Sequence, residues 1–144
     1  MVAKAFRYPV VLSPDAHTVM VEFPDVPGAL TQGTDETDAL EQASDCLIAA
    51  LGAYIELRRD IPPPSPARGR PTVTLPPLVA AKLALYQAMR EAKMTNVALA
   101  KRLGGTETLV RRLLDLDHRS HIGQIESALA ALGKRLVVEV RDAA

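Results

Sequence analysis

The sequence predicts an α+β protein: a three- to four-stranded sheet with one long helix over residues 1–60, then an all-α unit over residues 72–144 that finishes in a strand. Three observations carry that expectation. Residues 6–23 alternate between the two faces of extended chain, residues 35–54 repeat apolar side chains at the helical period, and residues 95–133 hold short helical periods broken by glycine turns. Between the two parts, Ile61-Pro62-Pro63-Pro64-Ser65-Pro66-Ala67-Arg68-Gly69-Arg70-Pro71 contains five prolines. Proline lacks the N–H that a helix or a central strand needs, so residues 61–71 are expected as a linker or an extended strap.

Taken in order, Phe6, Tyr8, Val10 and Leu12 alternate with Arg7, Pro9 and Val11, and Ser13-Pro14-Asp15-Ala16 can turn. Val19, Val21 and Phe23 then alternate with Thr18, Met20 and Glu22, which gives a hairpin with one buried face. Pro24-Asp25-Val26-Pro27-Gly28 makes a second turn, and residues 29–32 supply a short third strand. Asp35, with Asp38 three residues on, opens a helix whose apolar positions are Leu40, Ala43, Leu47, Leu51 and Tyr54. Strands followed by one long helix form a two-layer arrangement.

In the second half, Thr95 or Asn96 is positioned to cap a helix carrying Val97, Leu99, Ala100 and Leu103, and Gly104-Gly105 breaks it where left-handed backbone costs little. Thr106 caps the next helix, with Leu109, Val110, Leu113 and Leu114 as its buried stripe. Glu107, Thr108, Arg111 and Arg112 are left on the exposed side. A third period follows in Ile122, Ile125, Ala128, Leu129 and Leu132, closed by Gly133. Two short helices around a tight turn, with arginines on the second, are how a protein presents a helix to DNA. Residues 134–141, KRLVVEVR, alternate well enough to be a strand, with Leu136, Val138 and Val140 on one face. An isolated edge strand is unstable, so this one is expected to form the interface of a homodimer or higher homo-oligomer.

The formal charge of zero conceals two halves of opposite sign: residues 1–60 sum to −6 and residues 61–144 to +6. Such a split suggests a basic nucleic-acid module beside an acidic module with another partner. No apolar run is long enough for a membrane span or a signal peptide, and the single Cys46 has no internal disulfide partner; a cytoplasmic protein is expected. No cofactor, metal or catalytic site is expected. Only Glu22 among the N-terminal carboxylates falls in a strand, Asp15 and Asp25 lie in turns, and Asp35 and Asp38 start a helix, which is a poor frame for metal-assisted phosphodiester cleavage. His118 and His121 lack a third ligand and suit a DNA-backbone or solvent-facing role, His17 belongs to the hairpin turn, and Cys46 reads as a packing residue.

Leu99-Ala100-Lys101-Arg102-Leu103-Gly104, Thr106 and the closing helix at residues 125–133 resemble the Xre or Cro/C1 class of helix-turn-helix domains. Two positions depart from it: Asn96 replaces the usual Gln, and Leu114 a frequent Glu. The resemblance implies base contacts by Glu107, Thr108 and Arg111, with Asn96, Lys101, Arg112 and Arg119 on the DNA backbone. Residues 6–66 resemble the HicB antitoxin family, through Tyr8-Pro9-Val10, Val21-Glu22-Phe23-Pro24-Asp25-Val26-Pro27-Gly28, Thr31-Gln32-Gly33, the helix opening at residues 35–43 and Ile61-Pro62-Pro63-Pro64-Ser65. That likeness implies a partial RNase H-like fold for the first half, binding and inhibition of a HicA-type mRNA-cleaving toxin, and repression of its own operon at operator DNA. The acidic surface of residues 1–60 is then the toxin-facing side, without individual contacts being assignable. Two alternatives stay open: a stand-alone transcriptional repressor whose N-terminal domain senses a ligand, and DNA binding through a ribbon-helix-helix over residues 70–103, in which Thr72 and Thr74 would face the groove.

Overall fold

A computed structural model describes residues 6–143 and divides the chain into two compact units, Met1–Ala80 and Ala81–Ala144. The first unit is the expected layer of strands and helix: β1 (Arg7–Pro9), β2 (Val11–Pro14), β3 (Val19–Glu22), β4 (Leu30–Gly33), α1 (Glu36–Glu56) and β5 (Thr72–Thr74). β2, β3 and β4 form an antiparallel meander in which Leu12 faces Val21 and Val21 faces Thr31. Its second turn is closed by the Phe23 N–H donating to Ala29 O at 3.1 Å, with Gly28 at φ 86°, where glycine has no Cβ to clash.

The run expected as one strand over residues 6–12 is two, because its pairing changes partner at Val10. Residues 7–9 pair with β5, Tyr8 opposite Val73, and residues 11–14 pair with β3. The Val10 N–H donates to Pro71 O at 2.9 Å and the Leu75 N–H to Phe6 O at 3.1 Å, which extends the β1–β5 pairing at both ends. β5 therefore belongs to the first unit, although its residues were expected to open the second.

The proline-rich residues 61–71 act as a strap and not as a free linker. The Tyr8 hydroxyl donates to Pro62 O at 2.7 Å, and Asp25 accepts the Ser65 N–H at 2.7 Å and the Ser65 hydroxyl. Ile61 is buried, and Arg70 folds back to donate to Pro66 O and Ala67 O, both at 3.0 Å. The expected domain limits at 60 and 72 shift accordingly, since the contacts of the strap and of β5 are made with β1 and the 23–29 turn.

α1 starts on a reciprocal cap: the Asp35 carboxylate accepts from the Asp38 N–H at 2.8 Å, and the Asp38 carboxylate accepts from the Thr34 N–H at 2.8 Å. Its buried stripe is Ala39, Ala43, Leu47 and Leu51, with the expected Leu40 and Tyr54 only half-buried. Gly33 explains the substitution of Ala39 for Leu40. A Cβ at Gly33 would stand 2.3 Å from Ala39 N, so strand and helix touch backbone to backbone there and the residue at the contact must be small.

The second unit is built from α2 (Pro77–Glu91), whose first residues lie in the first unit, α3 (Asn96–Leu103), α4 (Glu107–Leu114) and α5 (Ile122–Ala131). Leu83, Leu85, Leu99, Val110, Leu113, Ile125 and Ala128 are its most deeply buried apolar side chains. Val110, Leu113 and Leu114 of the expected stripe are buried and Leu109 is half-buried. Residues 134–143 carry no regular secondary structure, contrary to the C-terminal strand expected there. Leu136 is half-buried, whereas Val138 is 79% and Val140 92% exposed, as follows for strand-like residues with no ladder partner in their own chain.

Candidate nucleic-acid interface

α3 and α4 owe their lengths to local chemistry. The Thr95 hydroxyl accepts from the Ala98 N–H at 3.1 Å and starts α3, while Gly104 ends it at φ 66°, with the Gly105 N–H returning to Ala100 O at 2.9 Å. Thr106 then accepts from the Leu109 N–H at 3.2 Å and starts α4. Between Leu103 and Glu107 only three residues are spent, so the second helix leaves the turn at once.

The face that α4 turns outward holds Glu107, Thr108, Arg111 and Arg112, all exposed. The Arg111 guanidinium donates to the Thr108 hydroxyl at 3.4 Å, a long contact that leaves most of its donors available. Among the described residues no ion pair joins Glu107 to Arg111. Lys101 on α3 and Arg119 beyond α4 are exposed, and Asn96 is the half-buried first residue of α3 beside the capping Thr95. Arg102 is committed elsewhere, donating to Ala131 O at the end of α5 at 3.0 Å.

The group that sequence reasoning missed is Lys82. It is fully buried, the one charged side chain so placed among the described residues, and its ammonium donates to Arg112 O at 2.7 Å, Asp115 O at 2.8 Å and the Ser120 hydroxyl oxygen at 2.9 Å. Burial pushes its pKa down, opposed by the charge of Asp115. His118 is held by the same cluster, its Nδ1 lying 3.1 Å from Ser120 Oγ. A signal was present in the chain: Val79, Lys82, Leu83 and Tyr86 share the i, i+3, i+4, i+7 stripe of α2, which puts a lysine at a core position.

The first unit offers a different surface. Asp25, Asp35 and Asp38 spend their carboxylates on strap and helix cap, and the Thr34 N–H in particular holds the Asp38 carboxyl below the usual range. Asp15, Glu22, Glu36, Glu41, Asp45 and Glu56 remain exposed. No group of three or more His, Cys, Asp or Glu is arranged to hold a metal ion among the described residues. Cys46 is half-buried with its sulfur 3.8 Å from Leu30 O, and His17 is exposed. No helix among the described residues is long and apolar enough to cross a membrane.

Comparison with known proteins matches residues 7–84 to the model of the HicB-like antitoxin of bacterial toxin–antitoxin systems. The chain is 40% identical over 134 residues to antitoxin HicB 2 of Photorhabdus laumondii, covering 93% of this chain and 96% of that one. Antitoxin HicB of Escherichia coli is 39% identical over 132 residues, covering 90% of this chain and 96% of that one. Antitoxin HicB of Pseudomonas fluorescens is 31% identical over 140 residues, with 96% of each chain covered.

Proposed function

The chain belongs to the HicB-like antitoxin family of bacterial toxin–antitoxin systems, and from that premise we propose that it neutralises a HicA-type toxin with its first unit and represses its own operon with its second. The first unit, read as a partial RNase H-like fold, presents the exposed carboxylates to the toxin. The second, read as a Xre-type helix-turn-helix, lays α4 in the major groove of operator DNA. Glu107, Thr108 and Arg111 read bases, while Asn96, Lys101, Arg112 and Arg119 meet the backbone. The protein acts in the cytoplasm as a homodimer, with Leu136, Val138 and Val140 pairing between copies.

The observation that supports DNA binding most is the outward face of α4, where Glu107, Thr108, Arg111 and Arg112 are exposed on a helix whose start and preceding turn are fixed by Thr106 and Gly104. Pairing of β5 with β1 of the same chain occupies one edge of the strand that a ribbon-helix-helix would pair between copies. The test has two arms. Titrating the full chain into a HicA-type toxin should abolish RNA cleavage at stoichiometric ratio, and titrating it onto the duplex upstream of its own gene should give binding that a scrambled duplex does not. Cleavage that persists refutes neutralisation, and equal binding to both duplexes refutes operator recognition.

A further inference from the structure

We propose that Lys82 is a positioning residue for the DNA-binding surface: its buried ammonium fixes the end of α4 and the turn after it, and so sets where Arg112 and Arg119 meet phosphate. This role rests on the DNA-facing reading of α4.

An ammonium has three N–H donors, and all three are used here within 2.9 Å. Two of the acceptors are carbonyls at the C-terminal end of α4, Arg112 O in its last turn and Asp115 O at its cap. Those carbonyls lack full intrahelical partners and form the negative pole of the helix, the place where a cation is most favourable. The third acceptor, Ser120, lies at the far end of the segment that carries Arg119. Its hydroxyl also donates to Arg112 O at 3.3 Å, so one cation ties residues 112, 115 and 120 together.

Apolar side chains would close this core with less desolvation. Burial of a charge persists where its hydrogen bonds are complete, and removal of one partner leaves the others stranded. Here Arg112 O would keep only the Ser120 hydroxyl and the long Asp115 N–H contact, and Asp115 O only the His118 N–H, and an apolar replacement cannot supply the lost charged donor. The 115–121 turn is held by short-range bonds, the Asp117 N–H to Asp115 Oδ1, the His118 N–H to Asp115 O and the Ser120 N–H to His118 O, by the Ser120 hydroxyl on Arg112 O, and by the buried side chain of Leu116. Lys82 adds to these a tie that reaches both ends of the turn, Asp115 and Ser120, from α2. Phosphate contacts made from it depend on preorganisation, whereas Glu107 and Thr108 sit in the first turn of α4 that Thr106 caps, and Arg111, though in the last turn, follows Glu107 by four residues on the same face.

The experiment uses the full chain as wild type, Lys82→Met and Ser120→Ala, with the duplex upstream of its own gene and a scrambled duplex, over a range of salt. Lys82→Met should weaken binding to both duplexes by roughly tenfold and lower the slope of log affinity against log salt by about 1–2, as for one or two lost phosphate contacts, with the preference between duplexes kept. Ser120→Ala should move both quantities the same way by less. Hydrogen exchange should quicken at the amides of Asp117, His118 and Ser120 in both variants while Leu99 on α3 keeps its wild-type rate. A folded Lys82→Met with wild-type affinity and salt slope overturns the role. If that variant loses its helical circular dichroism, Ser120→Ala decides, and wild-type binding by it overturns the role equally. A wild-type chain that distinguishes neither duplex and binds neither overturns the DNA reading, and this role with it.

Discussion

Replacing Gly33 with alanine places a methyl group where no space exists. An ideal Cβ there lies 2.3 Å from Ala39 N, 2.5 Å from Ala39 Cα and 2.8 Å from the Asp38 carbonyl carbon, all backbone atoms that cannot rotate away. Ordinary carbon contacts begin near 3.5 Å, so the first turn of α1 must retreat by about 1 Å. That turn is pinned by the Asp35, Asp38 and Thr34 bonds, and a retreat strains them. Overpacking costs ~1–3 kcal/mol and loss of a helix cap a further ~0.5–2 kcal/mol, which gives about 2–5 kcal/mol against a total of ~5–15 kcal/mol for a typical domain. Gly52 in the same helix is the control, because nothing lies within 4 Å of its Cβ position. Gly52→Ala should stabilise by ~0.5–1 kcal/mol, so the same chemical change on one helix and the strand beneath it has opposite signs. Urea unfolding of both full-length variants, followed by the near-ultraviolet signal of the tyrosines and by toxin neutralisation, measures this. A Gly33→Ala protein within about 0.5 kcal/mol of wild type would refute the close backbone contact, that margin being the usual scatter of neutral surface changes.

Tyr8 gives a pH test. Burial first, then the charges of Asp25 and Tyr54, raises its phenol from 10.0 to about 12, so its share of stability is complete below pH 10 and is lost as pH climbs through 12. Two pKa units correspond to about 2–3 kcal/mol. Tyr8→Phe should cost ~1 kcal/mol at neutral pH through the lost bond to Pro62 O and flatten this alkaline slope, and urea midpoints at several pH values that fall in parallel for both proteins would contradict it. Arg111→Ala should lose ~1–3 kcal/mol on the operator and relax preference at one base pair, while Arg119→Ala weakens all duplexes alike; equal loss on operator and scrambled DNA for Arg111→Ala would remove it from the base-reading set. Deleting residues 134–144 should convert a dimer to a monomer by mass in solution, and an unchanged mass would place the contact elsewhere.

Features decided within a few residues were legible from the chain alone. The hairpin of β2 and β3, the Asp35 cap, the Thr95 and Thr106 caps and the Gly104 turn all close hydrogen bonds over three to five residues, so residue type and spacing specify them. The Tyr8, Asp25 and Ser65 motifs were visible too, but as separate fragments. Only tertiary structure joined them, since Asp25 meets Ser65 across 40 positions and Tyr8 meets Pro62 across 54. The same holds for β5, which needs β1, some 65 residues away, to be a strand at all. It holds for Ala39, buried in place of Leu40 by the approach of Gly33, and for Lys82, whose charge is tolerable in a core only because carbonyls 30 and 33 residues along converge on it. A one-dimensional pattern records which side chains prefer to be buried. Which polar groups will be satisfied when they arrive there is a property of the assembled chain, and residues 134–143, patterned as a strand yet unpaired in a single copy, show the same dependence from the other side.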